Sequence, residues 1–341
     1  MGTEVGDRAT FWRRLKLLWL VGLREVRMSK AAQPSNLAPK VFRFSDIDQF
    51  RSSIRTVDVD FTPLARKIDA ELAILNSPGF DINFIKSFPR IINAKLGPDS
   101  TNIGVLMDEG VPMRVNGAES ELPSITIGTH GAELTSVERV GRQYSSIIFT
   151  PAITDRGWPE ATKYFKVLET SFAARERLRQ LVRHSINAHR EFPDPADAAE
   201  AWLAIKESFL GAIDAAFADM VSARWTAPSN AVRQLKIFRQ IRAILTANVA
   251  HPIYSADLAT QLGISVRSVH DSVLRYTGMS LHRYLRLRRL WLVRRRLLAG
   301  ADSVKVCALA FGFWHMGDFS HSYRFQFGET PSQTMARSRR P

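Results

Sequence analysis

Arginine, histidine and aspartate side chains share one face of a short helix predicted in the last third of the chain. Val269 and Val273 lie one turn apart and define its apolar face. At about 100° per residue, Arg267, His270 and Asp271 fall on the opposite face. Arg and His donate hydrogen bonds and Asp accepts them, which is the chemistry that reads base edges in a DNA major groove.

A second predicted helix, from Met316 to Phe327, repeats this arrangement. Phe319 and Tyr323 mark its inward face. The opposite face carries Gly317, His321 and Arg324, with Ser320 at its edge. A basic face that is merely solvated is the alternative, but histidines on the polar faces of both helices favour a binding surface.

The first of these helices belongs to a helix-turn-helix pattern. A short amphipathic helix over 255–262, with Ser255 predicted as its N-cap, comes first. The turn Gly263-Ile264-Ser265 follows, and a helix from Val266 to Tyr276 then stops at Gly278. A helix, a glycine-containing turn and a second helix are typical of this motif.

The motif occurs a second time, and a basic helix connects the two units. A helix over 304–311 leads through the Gly312-Phe313 turn into the helix that Gly328 ends. The connector, 281–299, is the most arginine-rich stretch of the chain. Cations here are expected to bind DNA phosphates, which position a protein without reading sequence. The predicted phosphate-binding residues are Arg286, Arg288, Arg289, Arg294, Arg295, Lys305 and Arg324.

The charge of the chain is concentrated in this same region. The net charge is +14, and residues 229–341 hold 18 Lys and Arg against five Asp and Glu. Residues 31–228 hold 22 against 25. Such asymmetry indicates a near-neutral domain joined to one that meets a polyanion. The single cysteine, Cys307, excludes a disulfide framework and is predicted to be a small apolar core residue.

Short strands are predicted between residues 41 and 152. Gly, Pro, Asn and Asp clusters separate the runs 102–107, 112–115, 124–127 and 145–149. Asn116-Gly117 stands in a hairpin position, and Gly128 and Gly131 flank another expected turn. This spacing predicts a sandwich or a barrel.

Two amphipathic helices are predicted after the strands. The first contains Leu178, Leu181, Val182 and Ile186; the stripe of the second is Trp202, Ile205, Phe209, Ile213, Phe217 and Val221. They could cover the β-domain or pair with a second subunit. A linker is expected at 225–230.

The first residues allow two interpretations. The stretch 11–27 is amphipathic and could anchor the chain at a membrane surface, whereas translation from Met28 would remove it. No apolar run approaches the roughly 20 residues that span a bilayer.

The basic region resembles the AraC/XylS-type transcriptional regulators. Residues 308–332 are similar to the second-unit signature of that family, with the Gly-Phe turn, the paired inward aromatics and the closing Gly-x-x-Pro-Ser. The first unit matches at Leu258-Ala259, at 262–265, at 278–280 and at Tyr284-Leu285.

The resemblance implies a fold class and a domain order. The class is α+β with two domains: an N-terminal cupin-like β-barrel with following helices, and a C-terminal all-α tandem helix-turn-helix domain. The implied segments are a tail at 1–40, an effector or dimerisation domain at 41–160, a helical pair and linker at 161–228, and a DNA-binding domain at 229–341.

Base-reading positions of the family carry over to both units. They fall on Arg267, His270, Asp271, Met316, Gly317, Ser320 and His321. Two of them depart from the family pattern, because Asp271 stands where the family often has Arg and Gly317 has no side chain. Asp271 could instead repel phosphate or pair with Arg267.

The function implied is sequence-specific transcription regulation, most simply activation, in the cytoplasm. The implied partners are promoter DNA, RNA polymerase, a small-molecule effector and a second copy of the chain; no catalytic residue, cofactor or metal is expected. Two alternatives stay open: a membrane-surface regulator and an enzyme on the β-domain. Against the enzyme, His130 is the single histidine in 31–160, too few for a His-based metal site. Trp291 and Trp314 are predicted to be packing residues.

Overall fold

The strands and helices fall in two successive parts of the chain, which confirms the two-domain α+β class. A computed structural model describes residues 36–37, 39–54, 57–65, 68–109, 114–116, 118–119, 124–187, 190–191, 195–220, 229–248 and 252–338. Residues 1–35, which include the stretch 11–27 and Met28, lie outside these ranges. No helix within the described ranges has the length and apolar character to cross a bilayer.

The strands occupy the N-terminal part. They are β1 (Asn36–Leu37), β2 (Lys40–Phe44), β3 (Val57–Pro63), β4 (Ala70–Ser77), β5 (Phe80–Lys86), β6 (Arg90–Leu96), β7 (Thr101–Leu106), β8 (Arg114–Val115), β9 (Ala118–Glu119), β10 (Ser124–Thr129), β11 (Glu133–Glu138), β12 (Gln143–Phe149), β13 (Lys166–Glu169) and β14 (Arg190–Glu191).

The helices follow, apart from one short helix after β2. They are α1 (Ile47–Ser53), α2 (Phe172–Asn187), α3 (Pro195–Ala218), α4 (Ser229–Ala247), α5 (Ser255–Leu262), α6 (Val266–Thr277), α7 (Leu281–Leu298), α8 (Val304–Ala310), α9 (Met316–Phe327) and α10 (Pro331–Ser338). Ser229 and Asn230, expected in a linker, begin α4, and 221–228 lie outside the described residues.

Two antiparallel sheets face each other in the N-terminal domain. The seven-stranded sheet has the order β13-β10-β7-β12-β5-β4-β2, and the five-stranded sheet has the order β3-β6-β11-β8-β9. A further pair joins β1 to β14. The expected barrel is therefore an open pair of sheets, because no hydrogen-bonded ladder between described strands closes one sheet onto the other.

The predicted strands are confirmed within one or two residues, except that 112 and 113 of the predicted run 112–115 lie outside the described residues. Asn116 has a left-handed φ of 48° between β8 and β9, as a tight hairpin turn requires. Gly128 was expected to flank a turn but lies inside β10. A Cβ there would stand 2.4 Å from the Phe165 ring, so the position needs glycine. His130 and Gly131, both with positive φ, make the turn.

Helices α2 and α3 cover the outer face of the seven-stranded sheet. Leu178 and Val182 of α2 and Phe209 and Ile213 of α3 are fully buried in one cluster with strand residues such as Ile147. The apolar stripes predicted from sequence are thus used inside the chain. Pairing of these helices with a second subunit stays a prediction.

The outer face of the five-stranded sheet packs on the C-terminal helices. Ile91 and Val137 join a cluster that contains Phe238 of α4 and Tyr276 of α6. Polar contacts follow the same boundary: the Arg239 guanidinium lies 3.1 Å from the centroid of the Tyr164 ring. The two domains therefore share a mixed apolar and polar interface.

Candidate nucleic-acid interface

The first helix-turn-helix unit is built from α5 and α6. Gly263 adopts the left-handed conformation with a φ of 62°, and Ile264 N donates to Ala259 O at 3.1 Å, which closes the turn. Ser265 caps α6 by accepting a 3.1 Å hydrogen bond from Ser268 N. The prediction of Ser255 as the N-cap of α5 is wrong. Tyr254 holds that position, and its N–H donates to the Asp257 carboxylate at 2.8 Å.

Helix α6 buries one side and exposes the side predicted to read DNA. Val269 and Val273 are fully buried. The side chain of Arg267 is 91% exposed, and His270 and Asp271 are exposed beside it. Arg267 Nε lies 3.9 Å from Asp271 Oδ2, so the pairing that was one alternative for Asp271 exists in the structure.

The second unit repeats this geometry with α8 and α9. Gly312 has a φ of 75°, and Phe313 N donates to Ala308 O at 3.0 Å. Phe319 and Tyr323 are buried on the inward face of α9. Cys307 is also buried, and this burial raises the pKa of its thiol, as fits an apolar core position.

The opposite side of α9 presents the predicted second-unit residues. Gly317, Ser320 and His321 are exposed, whereas Met316 is partly buried against the core of this unit. Trp314 was predicted to be a packing residue, and this is wrong because the residue is 68% exposed. It precedes α9 at the turn, so an aromatic ring belongs to the outer surface of the second unit.

Helix α7 holds the two units together because it is part of both cores. Tyr284, Leu285 and Leu287 belong to the core of the first unit, and Leu290 and Val293 to that of the second. Because one continuous helix contributes to both cores, it restrains the orientation of the two units relative to each other. The predicted packing role of Trp291 is confirmed, since its ring meets Phe327 edge-on with centroids 4.8 Å apart.

The predicted phosphate-binding residues differ in how much they are exposed. Arg295, Lys305 and Arg324 are exposed; Arg286, Arg288 and Arg289 are half-buried. Arg286 donates to the Ser322 hydroxyl, and Arg289 donates to Gly312 O at 3.3 Å. Burial lowers the pKa of Arg289, with Tyr254 opposing this shift and Arg286 adding to it.

Arg294 makes its contacts within the protein, so the structure does not fit the prediction that it binds a DNA phosphate. Its side chain is 11% exposed, and its guanidinium pairs with Glu329 and lies 4.8 Å from the centroid of the Phe327 ring. Thr334 accepts a further hydrogen bond from it at 3.4 Å. Arg294 therefore ties α7 to the segment after α9, where the Gly-x-x-Pro-Ser sequence supplies Glu329.

One basic residue beside the interface was missed by the sequence reasoning. Arg283 is exposed on the first turn of α7 and lines a cavity of about 290 Å³ with Arg286 and His321. It belongs to the same arginine run as the predicted phosphate-binding residues. Its position at the start of that run did not indicate that it would lie near His321 of α9.

Comparison with known proteins agrees with this geometry. A family model described as a helix-turn-helix domain matches residues 258–337. The XylDLEGF operon transcriptional activator 1 of Pseudomonas putida is 28% identical over 200 residues, which are 56% of this chain and 57% of that protein. The transcriptional activator RhaS of Pectobacterium atrosepticum is 34% identical over 87 residues, 26% of this chain and 31% of its own. This chain thus spans just over half the length of the XylDLEGF activator.

One solved structure is similar to part of the chain. A probable AraC family transcriptional regulator from Rhodopseudomonas palustris is 34% identical, with coverage of 31% of this chain and 99% of its own and a TM-score of 0.29.

Geometry and family match together define the class of the C-terminal part: a helix-turn-helix DNA-binding domain. Within that class, the C-terminal part is a domain of the AraC/XylS type, as its basic region indicated.

Proposed function

We propose that this chain is a transcriptional activator that reads two successive major-groove segments of a promoter with α6 and α9. The observation that carries the proposal is the position of α7 in both hydrophobic cores, which fixes two exposed recognition faces in one rigid unit. Successive major-groove segments on one face of B-DNA lie about 34 Å apart. The activity is binding, with no chemical step.

Each exposed side chain has a distinct role in this proposal. Arg267 and His270 donate to base edges from α6, and Asp271 orients Arg267 across their 3.9 Å contact. Ser320 and His321 donate to base edges from α9. Gly317 and the partly buried Met316 let the start of α9 approach the DNA closely, while phosphates meet Arg295, Lys305 and Arg324.

The proposed partners are promoter DNA, RNA polymerase, a small-molecule effector and a second copy of the chain. Activation is proposed because the named relatives are transcriptional activators. Contact with RNA polymerase is the direct route by which a bound activator acts.

Control by an effector has a physical path in the structure through β11. Ser136 and Glu138 of this strand line a cavity between the two sheets. The alternate residues face the DNA-binding domain: Glu133 Oε2 lies 3.7 Å from Arg239 Nε, and Thr135 Oγ1 accepts from Arg242 at 3.2 Å. A ligand that shifts β11 therefore shifts the surface against which α4 is packed.

Selection of bound DNA from a random pool by the full chain tests the proposal. We expect an enriched site with two short conserved blocks separated by about one helical turn of 10 base pairs. Loss of one block in Arg267→Ala and of the other in His321→Ala would assign each block to its helix. Enrichment of a single block, or of none, would contradict reading by two helices.

A further inference from the structure

The two facing sheets of the N-terminal domain enclose a cavity of about 640 Å³. Cavities of this size hold small organic molecules in other proteins. One wall belongs to the seven-stranded sheet and the other to the five-stranded sheet. The side chains of these two walls define what the cavity can bind.

Polar residues line the wall formed by the seven-stranded sheet. Cross-strand register places one residue from each of five adjacent strands on a single line across it, and all of them line the cavity: Ile74, Asn83, Ser146, Gly104 and Thr126. Their neighbours along the strands point the other way into the core under α2 and α3. The sheet thus turns an apolar face to the helices, and to the cavity a face that mixes amides and hydroxyls with apolar side chains.

The opposite wall is largely apolar. Side chains of β3, β6 and β11 form it: Val57, Val59, Phe61, Ile92, Ala94 and Leu134. The same wall also carries Ser136 and Glu138 of β11, so a molecule between the sheets meets hydrogen-bonding groups on both sides.

A buried carboxylate in this cavity has one oxygen without a partner. Glu138 is 1% exposed, and its Oε2 accepts from Arg90 Nε at 3.0 Å and from Ser87 Oγ at 2.7 Å. Its Oε1 has no hydrogen-bond partner among the described residues, nor has the hydroxyl of the equally buried Ser136. Buried polar atoms that lack a partner cost free energy, and a carboxylate can only accept. A ligand that donates a hydrogen bond would satisfy Glu138.

The charged residues that line the cavity are not predominantly basic. Lys40 and Arg175 lie there with Asp108, Glu109 and Glu138, and Arg90 offsets the charge of Glu138 from 3.0 Å. Arg175 Nη2 lies 4.0 Å from Glu109 Oε1, so Arg175 already has a carboxylate partner within the protein. An anionic group beside Glu138 Oε1 would bring a second acceptor to an oxygen that can only accept, and would leave that oxygen unsatisfied.

We propose that the cavity binds an uncharged amphipathic small molecule that donates a hydrogen bond to Glu138. Glu138 accepts from it on the five-stranded sheet, and Asn83, Ser146 and Thr126 face it from the seven-stranded sheet. Its hydrocarbon part lies on the apolar side chains of both walls. The binding itself stands independently, and only its regulatory consequence through β11 rests on the proposed function.

Two fluorescent probes that share one ring system test the proposal. N-phenyl-1-naphthylamine is uncharged and has a single N–H donor, and 8-anilino-1-naphthalenesulfonate adds a sulfonate. Titration of the full chain should show the uncharged probe binding about tenfold or more tightly at the cavity. Ala94→Phe, which fills the cavity from the apolar wall, should abolish that binding. Signal that survives in Ala94→Phe arises elsewhere and is subtracted.

Further variants keep the test decisive. Ala94→Leu replaces the phenylalanine variant if circular dichroism shows misfolding. Glu138→Gln should raise affinity for the sulfonate probe and reduce the preference for the uncharged one. Ser136→Ala, which keeps the Arg90 ion pair, is the matched control with that preference retained. Equal affinity of the two probes for the cavity, tighter binding of the sulfonate probe there, or no probe binding would each overturn the proposal.

Binding of the selected DNA site, measured on the same preparations, separates this proposal from the proposed function. Loss of DNA binding with normal probe preference contradicts only the function. Intact DNA binding without cavity binding contradicts only the ligand site.

Discussion

Replacing Arg267 with alanine should separate sequence reading from general DNA affinity. The Arg267 side chain is 91% exposed, and its one described charged contact is Asp271 at 3.9 Å. An exposed helical ion pair contributes about 0.3–0.5 kcal/mol, so the free energy of unfolding should change by no more than about 0.5 kcal/mol. Any larger loss in binding then reflects a missing contact with DNA.

The expected loss on cognate DNA follows from the number of contacts that an arginine makes. A bidentate contact to guanine discriminates by about 1–3 kcal/mol, which is about 5- to 150-fold in Kd. Binding to scrambled DNA should fall much less, because phosphate contacts supply it. Asp271, left without its partner, adds repulsion on both DNAs and cannot produce the difference between them.

Fluorescence anisotropy with cognate and scrambled duplexes over a range of salt concentrations measures both effects. Arg295→Ala is the matched control, since Arg295 is exposed on α7 and is assigned to phosphate. It should weaken both duplexes alike and reduce the salt slope by about 1. Equal losses on both duplexes for Arg267→Ala would refute its assignment to base reading.

Three further predictions concern the scaffold that carries this surface. Phe319→Ala should lower the free energy of unfolding by about 3–5 kcal/mol, measured by heat or urea, because it empties a buried core position. Trp314→Ala, at an exposed position of the same unit, should change that free energy by about 0.5 kcal/mol or less. Equal effects of the two substitutions would contradict the assigned burial. Burial raises the pKa of the Cys307 thiol, so Ellman's reagent near pH 8 should react far more slowly with the native chain than in denaturant, and a fast native reaction would contradict that environment. Arg239→Met removes a contact between the domains, so amide exchange in β11 should accelerate, and the exposed Arg233→Met on the same helix should leave it unchanged.

The helices of the basic region could be predicted because their signals are local. Glycine turns and apolar spacing place the bounds of α5 and α9 as the structure has them. The N-cap of α5 could not be predicted in the same way, since Ser255 and Asp257 lie two residues apart and both side chains can accept a hydrogen bond from the backbone at a helix start. The structure uses the Asp257 carboxylate for the N–H of Tyr254.

The burial of Arg294 could not be predicted from the arginine run. Its partner Glu329 lies 35 residues away, and the ion pair exists only because α9 and α10 fold back onto α7. Trp314 shows the reverse, because a large aromatic residue normally predicts packing but here lies outside the core. Composition indicates charge and hydrophobicity, and tertiary contacts decide which side chains remain at the surface.

The cavity is the part of the molecule least visible in the sequence. Asn83, Ser146, Gly104 and Thr126 come from four strands and are brought together by cross-strand register. Taken singly, each is an ordinary polar residue or glycine in a strand. Only the pairing of β5, β12, β7 and β10 shows that these residues lie side by side on one wall of the cavity.

Methylation-protection footprinting of one promoter site tests the central claim most directly. The full chain should protect guanines in two major-groove segments about 10 base pairs apart. His270→Ala should reduce protection of the guanines nearest to it in one segment and His321→Ala in the other, while both helices stay in their grooves. Protection of a single segment by the unaltered chain, or release of one whole segment by a variant that still protects the other, would contradict reading by two rigidly joined helices.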